Sequence, residues 1–169
     1  MIMNTLRKSI GIMITAAVLV ACQSPKNKLS EQITLLENET SAGFDAVKLK
    51  KLSSLYREYI NQFPQDSLVM GYLFRSGTLN MALKNGGDAL SDFTTLINRF
   101  PQSPYLAEAH YYKAYVYEDI LYEIEEARIA YYEFINRFPE HQLVQDATLS
   151  IQYLGKTPEE IVKGFEGEE

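Results

Sequence analysis

A five-residue motif occurs three times along this chain and constrains its fold more than any other feature. The motif reads INQFP at residues 60–64 and INRFP at residues 97–101 and 135–139, and the second interval is longer than the first by a single position. Self-similarity at such a period is typical of supersecondary units that stack on one another, because one unit cannot bury its apolar face alone. The sequence therefore predicts a solenoid of about three similar units.

Apolar residues recur at intervals of three and four ahead of each motif, which places them on one helix face. The three stripes match position by position: Leu52, Tyr56, Tyr59, Ile60 and Phe63; Ala89, Phe93, Leu96, Ile97 and Phe100; Ala127, Tyr131, Phe134, Ile135 and Phe138. Each helix must end at its Phe-Pro, because the residue before a proline disfavours the α region and the ring cannot continue the hydrogen-bond ladder. We therefore expect each unit to close with a helix that stops at this dipeptide.

A second helix is predicted before each of the two later stripes, from about Ser67 to Lys84 and from about Ser103 to Leu121. Each of these units is then a helix hairpin. In the first of them we expect the turn at residues 85–87, where glycine would supply a positive φ and Asp88 would cap the next helix.

The register of the helix over residues 103–121 can be counted in two ways. A small residue, Gly77 or Ala114, stands thirteen residues after Pro64 and after Pro101. Gly77 also precedes Ala89 by twelve residues, but the same interval before Ala127 selects Tyr115, which is too bulky for a close helix contact. We favour the first count, which puts the extra residue of the longer unit in the turn near residues 122–125, while a one-residue slip of this helix remains the alternative.

With these positions assigned, the chain resembles the tetratricopeptide repeats of cell-envelope lipoproteins, including those that assemble outer-membrane β-barrels. The family pattern asks for two small residues twelve apart, an aromatic residue and a closing proline. These positions match in order: Gly77, Ala89, Phe93 and Pro101, then Ala127, Tyr131 and Pro139. The resemblance implies an all-α, tetratricopeptide-like helix-hairpin solenoid (α-α superhelix) with about three repeats.

The two ends of the repeat domain, which we place at residues 29–155, have their own patterns. Leu29, Ile33 and Leu36 predict a short first helix that serves as a truncated cap. At the other end, residues 142–154 predict a C-terminal capping helix with Leu143, Ala147, Ile151 and Leu154 inward and Gly155 as its stop. Residues 156–169 then combine a Thr157–Glu160 capping box, a brief helix from Ile161 to Phe165 and an acidic tail.

The segment over residues 1–28 predicts export and lipid attachment. Arg7 and Lys8 precede an apolar run over residues 10–21 that is too short to span a bilayer and fits a signal peptide. The final LVAC, residues 19–22, resembles the lipobox of bacterial lipoproteins, which implies cleavage after residue 21 and acylation of Cys22. An ordinary signal peptide that happens to contain a cysteine is the alternative. We expect residues 22–28 to form the lipidated cysteine and a polar tether.

Composition narrows the function. Residues 1–21 hold two of the chain's 16 basic side chains and none of its 22 acidic ones, so the remainder has a net charge of −8, which argues against a nucleic-acid partner. Cys22 is the only cysteine, and His110 and His141 are far apart in the sequence, with no third ligand at metal-binding spacing. No nucleophile or phosphate-binding motif is present. The sequence therefore predicts a protein that is not an enzyme and has no cofactor or metal.

What remains is binding, and repeat solenoids usually bind through the concave face formed by the first helices of successive units. In the preferred register that face presents Phe74, Thr78, Met81, Glu108, Tyr111, Tyr115 and Glu118. The resulting expectation is a lipid-anchored scaffold that binds another envelope protein, with a role in outer-membrane protein assembly. The alternative is a lipoprotein that binds glycan or peptidoglycan, with the tyrosines stacking on sugar rings. Gln23 follows the cysteine where aspartate would favour the inner membrane, so the expected location is the outer membrane, facing the periplasm.

Overall fold

The computed structural model describes residues 24–157, 159–160 and 162–163, and within these residues the secondary structure is entirely helical. In this part of the chain, seven α-helices and one π-helical segment follow one another: α1 (Pro25–Thr40), α2 (Ala46–Gln62), α3 (Val69–Ala82), α4 (Gly86–Arg99), α5 (Leu106–Val116), the π segment (Tyr117–Leu121), α6 (Ile124–Arg137) and α7 (Val144–Tyr153). Each α-helix packs against the next, and α3 also touches α5. The predicted tetratricopeptide-like solenoid is confirmed.

The core runs along the stack in two clusters, one shared by α1 to α5 and the other by α5 to α7. The large side chains at its centre come from the predicted stripes: Tyr59, Phe93, Tyr131 and Phe134 are each completely buried. Equivalent stripe positions thus fill equivalent places, as stacking of similar hairpins requires.

The three Phe-Pro ends adopt the same backbone geometry. Phe63, Phe100 and Phe138 end their helices with φ of −128°, −128° and −131° and ψ of 55°, 64° and 57°. Each donates its backbone N–H to the carbonyl oxygen four residues earlier at 2.9 Å. In the turn that follows, three different side chains accept a bond from the backbone N–H two residues later: Asp66 at 2.9 Å, Ser103 at 3.1 Å and His141 at 3.3 Å. One turn is therefore built three times from unlike residues.

The contact between paired helices confirms the register counted from the prolines. At Gly77, a Cβ would lie 2.6 Å from Cε1 of Phe93, so the closely packed helices leave no room for it. Ala114, the matching residue of the next unit, is fully buried, whereas Tyr115 is only partly buried. The small residue is buried in both hairpins, and Gly77 faces the Phe93 ring.

The prediction for the turn between α3 and α4 is wrong in two details. Lys84 has the positive φ, 55°, while Gly86 and Gly87 begin α4 with ordinary helical backbone. Asp88 does not cap the helix; its carboxylate accepts a bond from the Asn85 side chain at 2.7 Å. Gly86 is required for a different reason, since a Cβ there would lie 2.6 Å from Cδ2 of Leu121 in the next hairpin.

The extra residue of the longer unit also lies elsewhere than predicted. Tyr122, with a φ of 57°, follows its counterpart Lys84 by the longer of the two motif intervals. Leu106, the first residue of α5, follows its counterpart Val69 by the shorter one. The insertion therefore falls between these points, in the π segment and not at residues 122–125. A single added residue widens one helical turn into a π turn, which leaves the turn after it unchanged.

The predicted tether is shorter than the sequence suggested. Ser24 caps α1 by accepting a bond from the backbone N–H of Asn27 at 3.2 Å, and Pro25 occupies the first turn, where a missing N–H costs nothing. Lys26 forms an ion pair with Asp66 in the first Phe-Pro turn. Residues 25–28 thus belong to the folded domain. Residues 1–21, Cys22 and Gln23 lie outside the described residues.

The C-terminal cap is present as predicted, whereas α1 is not the short, truncated helix that was expected, since it has 16 residues against 17 in α2. In α1, Leu29, Ile33 and Leu36 are buried, and in α7 Ala147 is buried ahead of Gly155, whose φ is 79°. After α7, Thr157 and Glu160 exchange backbone-to-side-chain hydrogen bonds of 2.7 and 3.2 Å, which confirms the capping box. The predicted brief helix from Ile161 to Phe165 falls largely outside the described residues. None of the described helices is long and apolar enough to cross a membrane.

Candidate protein-binding surface

The predicted binding residues of α3 divide into packed and open positions. The Phe74 ring stacks on Tyr105 at 4.7 Å with an interplanar angle of 12°, and it also approaches Phe93 at 6.2 Å. It therefore serves mainly to pack α3 against α5. Thr78 lines an open groove between α1 and α3, and Met81 is half-buried against the core.

On α5 and the π segment, the predicted residues lie at helical spacing and are all half-buried. Tyr111 packs its ring against Phe134 at 5.6 Å and Tyr131 at 5.8 Å, so much of its side chain is structural. Glu118 accepts a 2.6 Å hydrogen bond from the Tyr131 hydroxyl. Glu108 lies 3.8 Å from Nε2 of His141 on the Phe-Pro turn after α6. These contacts hold the surface in a defined shape.

Tyr115 is the aromatic side chain of the predicted binding residues that is least engaged in packing. Burial raises the pKa of its hydroxyl, and the nearby Asp119 carboxylate raises it further. Asp119 in turn accepts a 2.6 Å charge-assisted hydrogen bond from Lys84, which joins the end of α3 to the π segment. Tyr115 thus sits at the junction of two hairpins, beside a fixed pair of opposite charges.

A groove between α1 and α3 adds charged residues that the sequence analysis did not select. It encloses about 410 Å³ over Leu52 and Tyr56 of α2. Glu37 of α1 accepts hydrogen bonds from the Tyr56 hydroxyl at 2.6 Å and from Nη1 of Arg75 at 2.8 Å. Because α1 was interpreted as a cap alone, its polar side chains were not considered as part of the surface.

A second groove, between α2 and the start of α4, encloses about 740 Å³ and is lined mostly by residues with polar side chains. Its floor is Asn80, which is 1% exposed, accepts a 3.2 Å bond from Ser53 and donates a 3.0 Å bond to Asp92. Burial raises the pKa of the Asp92 carboxyl, although the bonds from Ser76 and Asn80 oppose this shift. The sequence feature that could have revealed this network is the presence of Ser53, Ser76 and Asn80 on otherwise apolar helix faces.

At the rim of this polar groove, Arg57 and Asp88 form a 2.8 Å ion pair between α2 and α4. Its other lining residues include Lys50, Asn61 and Asn85. Amide and hydroxyl groups thus alternate with paired charges along the groove. Such a lining offers hydrogen bonds to a polar segment, with Leu83 as the one apolar residue among those that line the groove.

Candidate metal ligands are scattered along the described part of the chain. Within the described ranges there is no cluster of three or more His, Cys, Asp or Glu side chains that could hold a metal ion. His110 is buried beside Phe138, with ring centroids 5.4 Å apart, and its Nε2 finds no hydrogen-bond partner among the described residues. Burial lowers the pKa of this imidazole. The two histidines therefore occupy separate positions, His110 on α5 and His141 in the last Phe-Pro turn.

Comparison with known proteins agrees with the geometry. Residues 108–141 match the family model described as tetratricopeptide repeat, a stretch that covers most of α5, the π segment, α6 and the Phe-Pro turn after it. No curated protein matches the chain. The match covers the third hairpin alone, and the equivalent turns and contacts of the preceding hairpins extend the same architecture along the solenoid.

Proposed function

We propose that this protein is a lipid-anchored scaffold of the bacterial cell envelope, in which the repeat surface binds another protein. The observation that carries the proposal is the tetratricopeptide-like solenoid, a fold whose repeats are typical of protein-interaction scaffolds. Its stacked first helices form an extended surface of the kind that such repeats use for binding.

The partner-binding part of the proposal centres on α5 and its neighbours. Tyr115, Glu108 and Thr78 offer accessible atoms there, while Phe74, Tyr111 and Glu118 shape the surface through their packing and hydrogen bonds. Tyrosine supplies a large contact area at low entropy cost, which favours it in interfaces. The acidic balance of the chain favours a partner with a basic or neutral contact surface.

The anchoring part rests on the segment that ends at Cys22. The LVAC sequence at residues 19–22 is similar to a lipobox, and two or more acyl chains at Cys22 would hold the protein stably on a membrane. Gln23 favours the outer membrane, with the solenoid facing the periplasm and acting in outer-membrane protein assembly. Replacement of Cys22 by alanine should then move the protein out of the membrane fraction or leave it unprocessed.

Two tyrosine variants test the binding surface in the native envelope. Tyr115→Ala removes a side chain from the proposed surface, and Tyr132→Ala removes an exposed side chain from the outside of α6 as the matched control. After crosslinking in whole cells and affinity capture, we expect the Tyr115 variant to lose at least one protein that the wild type and the control both retain.

Two results would contradict the binding proposal. One is equal recovery of every partner with both variants and the wild type. The other is retention of protein partners by the Tyr115 variant together with loss of oligosaccharide binding, since that combination would identify a glycan-binding protein. Circular dichroism of both variants establishes that neither result arises from unfolding.

A further inference from the structure

The outer side of the first unit, the hairpin of α1 and α2, exposes several large apolar side chains. Leu35 on α1 is 58% exposed, and Phe44 and Val47 at the turn into α2 are 70% and 78% exposed. A shallow cavity of about 220 Å³ lies between the two helices, lined by Gln32, Leu35, Leu36, Glu39, Lys51 and Leu55. We call this surface, formed by Lys28, Leu35, Phe44, Val47, Lys51 and Leu55, the N-terminal face.

Helical spacing places these residues on one side of the first hairpin. Lys28 and Leu35 are seven residues apart on α1, and Val47, Lys51 and Leu55 follow at intervals of four on α2. Leu29, Ile33 and Leu36, which lie about a third of a turn away on α1, are buried in the core. The N-terminal face therefore points outward, and no described helix covers it.

The position of the proposed anchor decides what this face meets, and this step rests on the proposed function. Cys22 lies only two residues before Ser24, the N-cap of α1. Two extended residues reach about 7 Å at most. An acylated Cys22 would therefore hold the start of α1 against the bilayer surface, because no flexible tether separates the two.

Two orientations of the solenoid satisfy this restraint, and apolar exposure distinguishes them. If α1 stood upright, the Phe-Pro turns would meet the lipid. Among the described residues of those turns, Leu68 is the one large apolar side chain that is exposed. If α1 lay along the surface, Phe44 and Val47 would reach the lipid at the far end of a helix about 24 Å long.

We infer that the N-terminal face rests on a lipid bilayer, with Phe44 and Val47 inserted between the headgroups. Lys28 and Lys51 flank the apolar side chains, and their long stems can cover apolar surface while the ammonium groups reach phosphate oxygens. Since the units stack away from α1 and α2, this orientation presents α5 and α6 to the aqueous side, where a partner can reach them.

The absence of tryptophan from the chain allows a direct test. Phe44→Trp places one fluorophore on the N-terminal face, and Tyr122→Trp places one at a position that is 77% exposed in the turn between the π segment and α6. Each variant is purified as the expressing cells process it and is reconstituted with vesicles of phosphatidylethanolamine and phosphatidylglycerol, with and without brominated acyl chains. We expect a blue-shifted, bromine-quenched emission from position 44 and neither effect at position 122.

The outcomes separate this inference from the proposed anchor. If both variants float with the vesicles and position 44 is not quenched, the anchor stands and the resting face is wrong. Equal quenching at positions 44 and 122 would also overturn the orientation, because the solenoid would then have no preferred side. If neither variant floats with the vesicles, both the anchor and the orientation are wrong.

Discussion

The hairpins α3–α4 and α5–α6 have the same fold, yet they differ in length and in the polarity of their interiors. Both close with the same Phe-Pro geometry, and both place a small residue, Gly77 or Ala114, inside the helix pair. The third unit adds one residue and absorbs it in the π segment. The comparison shows that this repeat depends on its closing turn and its small-to-aromatic contact more than on a constant length.

Two buried positions that are apolar in α3–α4 become polar in α5–α6. Phe93 corresponds to Tyr131, whose hydroxyl donates to Glu118, and Leu73 corresponds to His110. The two hairpins thus carry their buried polar groups at different positions: Ser76 and Asn80 in α3–α4, and His110 and the Tyr131 hydroxyl in α5–α6. Buried polar groups of this kind are tolerated where a hydrogen-bond partner or a neutral form is available.

The largest effect should follow from filling the close helix contact of α3–α4. Gly77→Ala would place a Cβ within 2.6 to 2.9 Å of three Phe93 ring atoms, and this ring is fully buried and cannot move aside. Overpacking of this kind costs about 1–3 kcal/mol. Urea denaturation should show a lower midpoint with an unchanged slope.

Gly71 provides the matched control on the same helix. A Cβ there meets no atom within 4 Å, so Gly71→Ala should keep only the gain in helix propensity and raise stability by up to about 1 kcal/mol. If the two substitutions changed stability equally, the close contact would not be what defines the hairpin.

A smaller effect is expected from the hydroxyl that distinguishes Tyr131 from Phe93. Tyr131→Phe removes the 2.6 Å bond to Glu118 and leaves that carboxylate half-buried without its donor. Loss of a hydrogen bond to a charged group costs about 1.5 kcal/mol. Tyr132→Phe, one residue along and exposed, should leave the thermal midpoint unchanged. Equal midpoints for the two variants would show that the buried hydroxyl does not stabilise the third hairpin.

The sequence predicted the repeat architecture because its strongest signals are local and recur. The Phe-Pro ends, the helical stripes and the small residue thirteen positions after Pro64 and Pro101 all depend on helix periodicity and proline chemistry. Three copies of one pattern also reveal errors in any single copy. That redundancy favoured Ala114 over Tyr115, and the complete burial of Ala114 decides between them.

The features that the sequence did not predict depend on backbone and packing energies, which the spacing of residue types does not report. The positive φ of Lys84 was assigned to the glycines that follow it, since glycine is the usual residue there. The π segment was missed because an inserted residue can be accommodated in a helix or in a turn at similar cost. At the binding surface, sequence spacing located α5 but could not show that Phe74 and Tyr111 are occupied in packing.

The smallest expected effect concerns acid sensitivity and separates His110 from Leu73, its counterpart in α3–α4. Burial lowers the pKa of His110 below the ordinary value of 6.5, so as the pH falls through that value the unfolded chain binds a proton that the folded chain does not. Stability is therefore lost from about pH 6.5 downwards, and it returns as the pH rises. His110→Leu removes this proton uptake and the unpartnered Nε2 together.

The hairpins can then be compared through the slope of unfolding free energy against pH, measured for the wild type and for the His110→Leu variant. Relative to the wild type, the His110→Leu variant should gain stability as the pH falls from about 7.5 to about 5.5, while other acid-sensitive groups affect both proteins alike. Chemical denaturation at several pH values measures this difference directly. A gap between wild type and variant that stayed constant across the range would mean that His110 takes up its proton equally well in the folded protein, in which case the polar interior of α5–α6 imposes no penalty in acid.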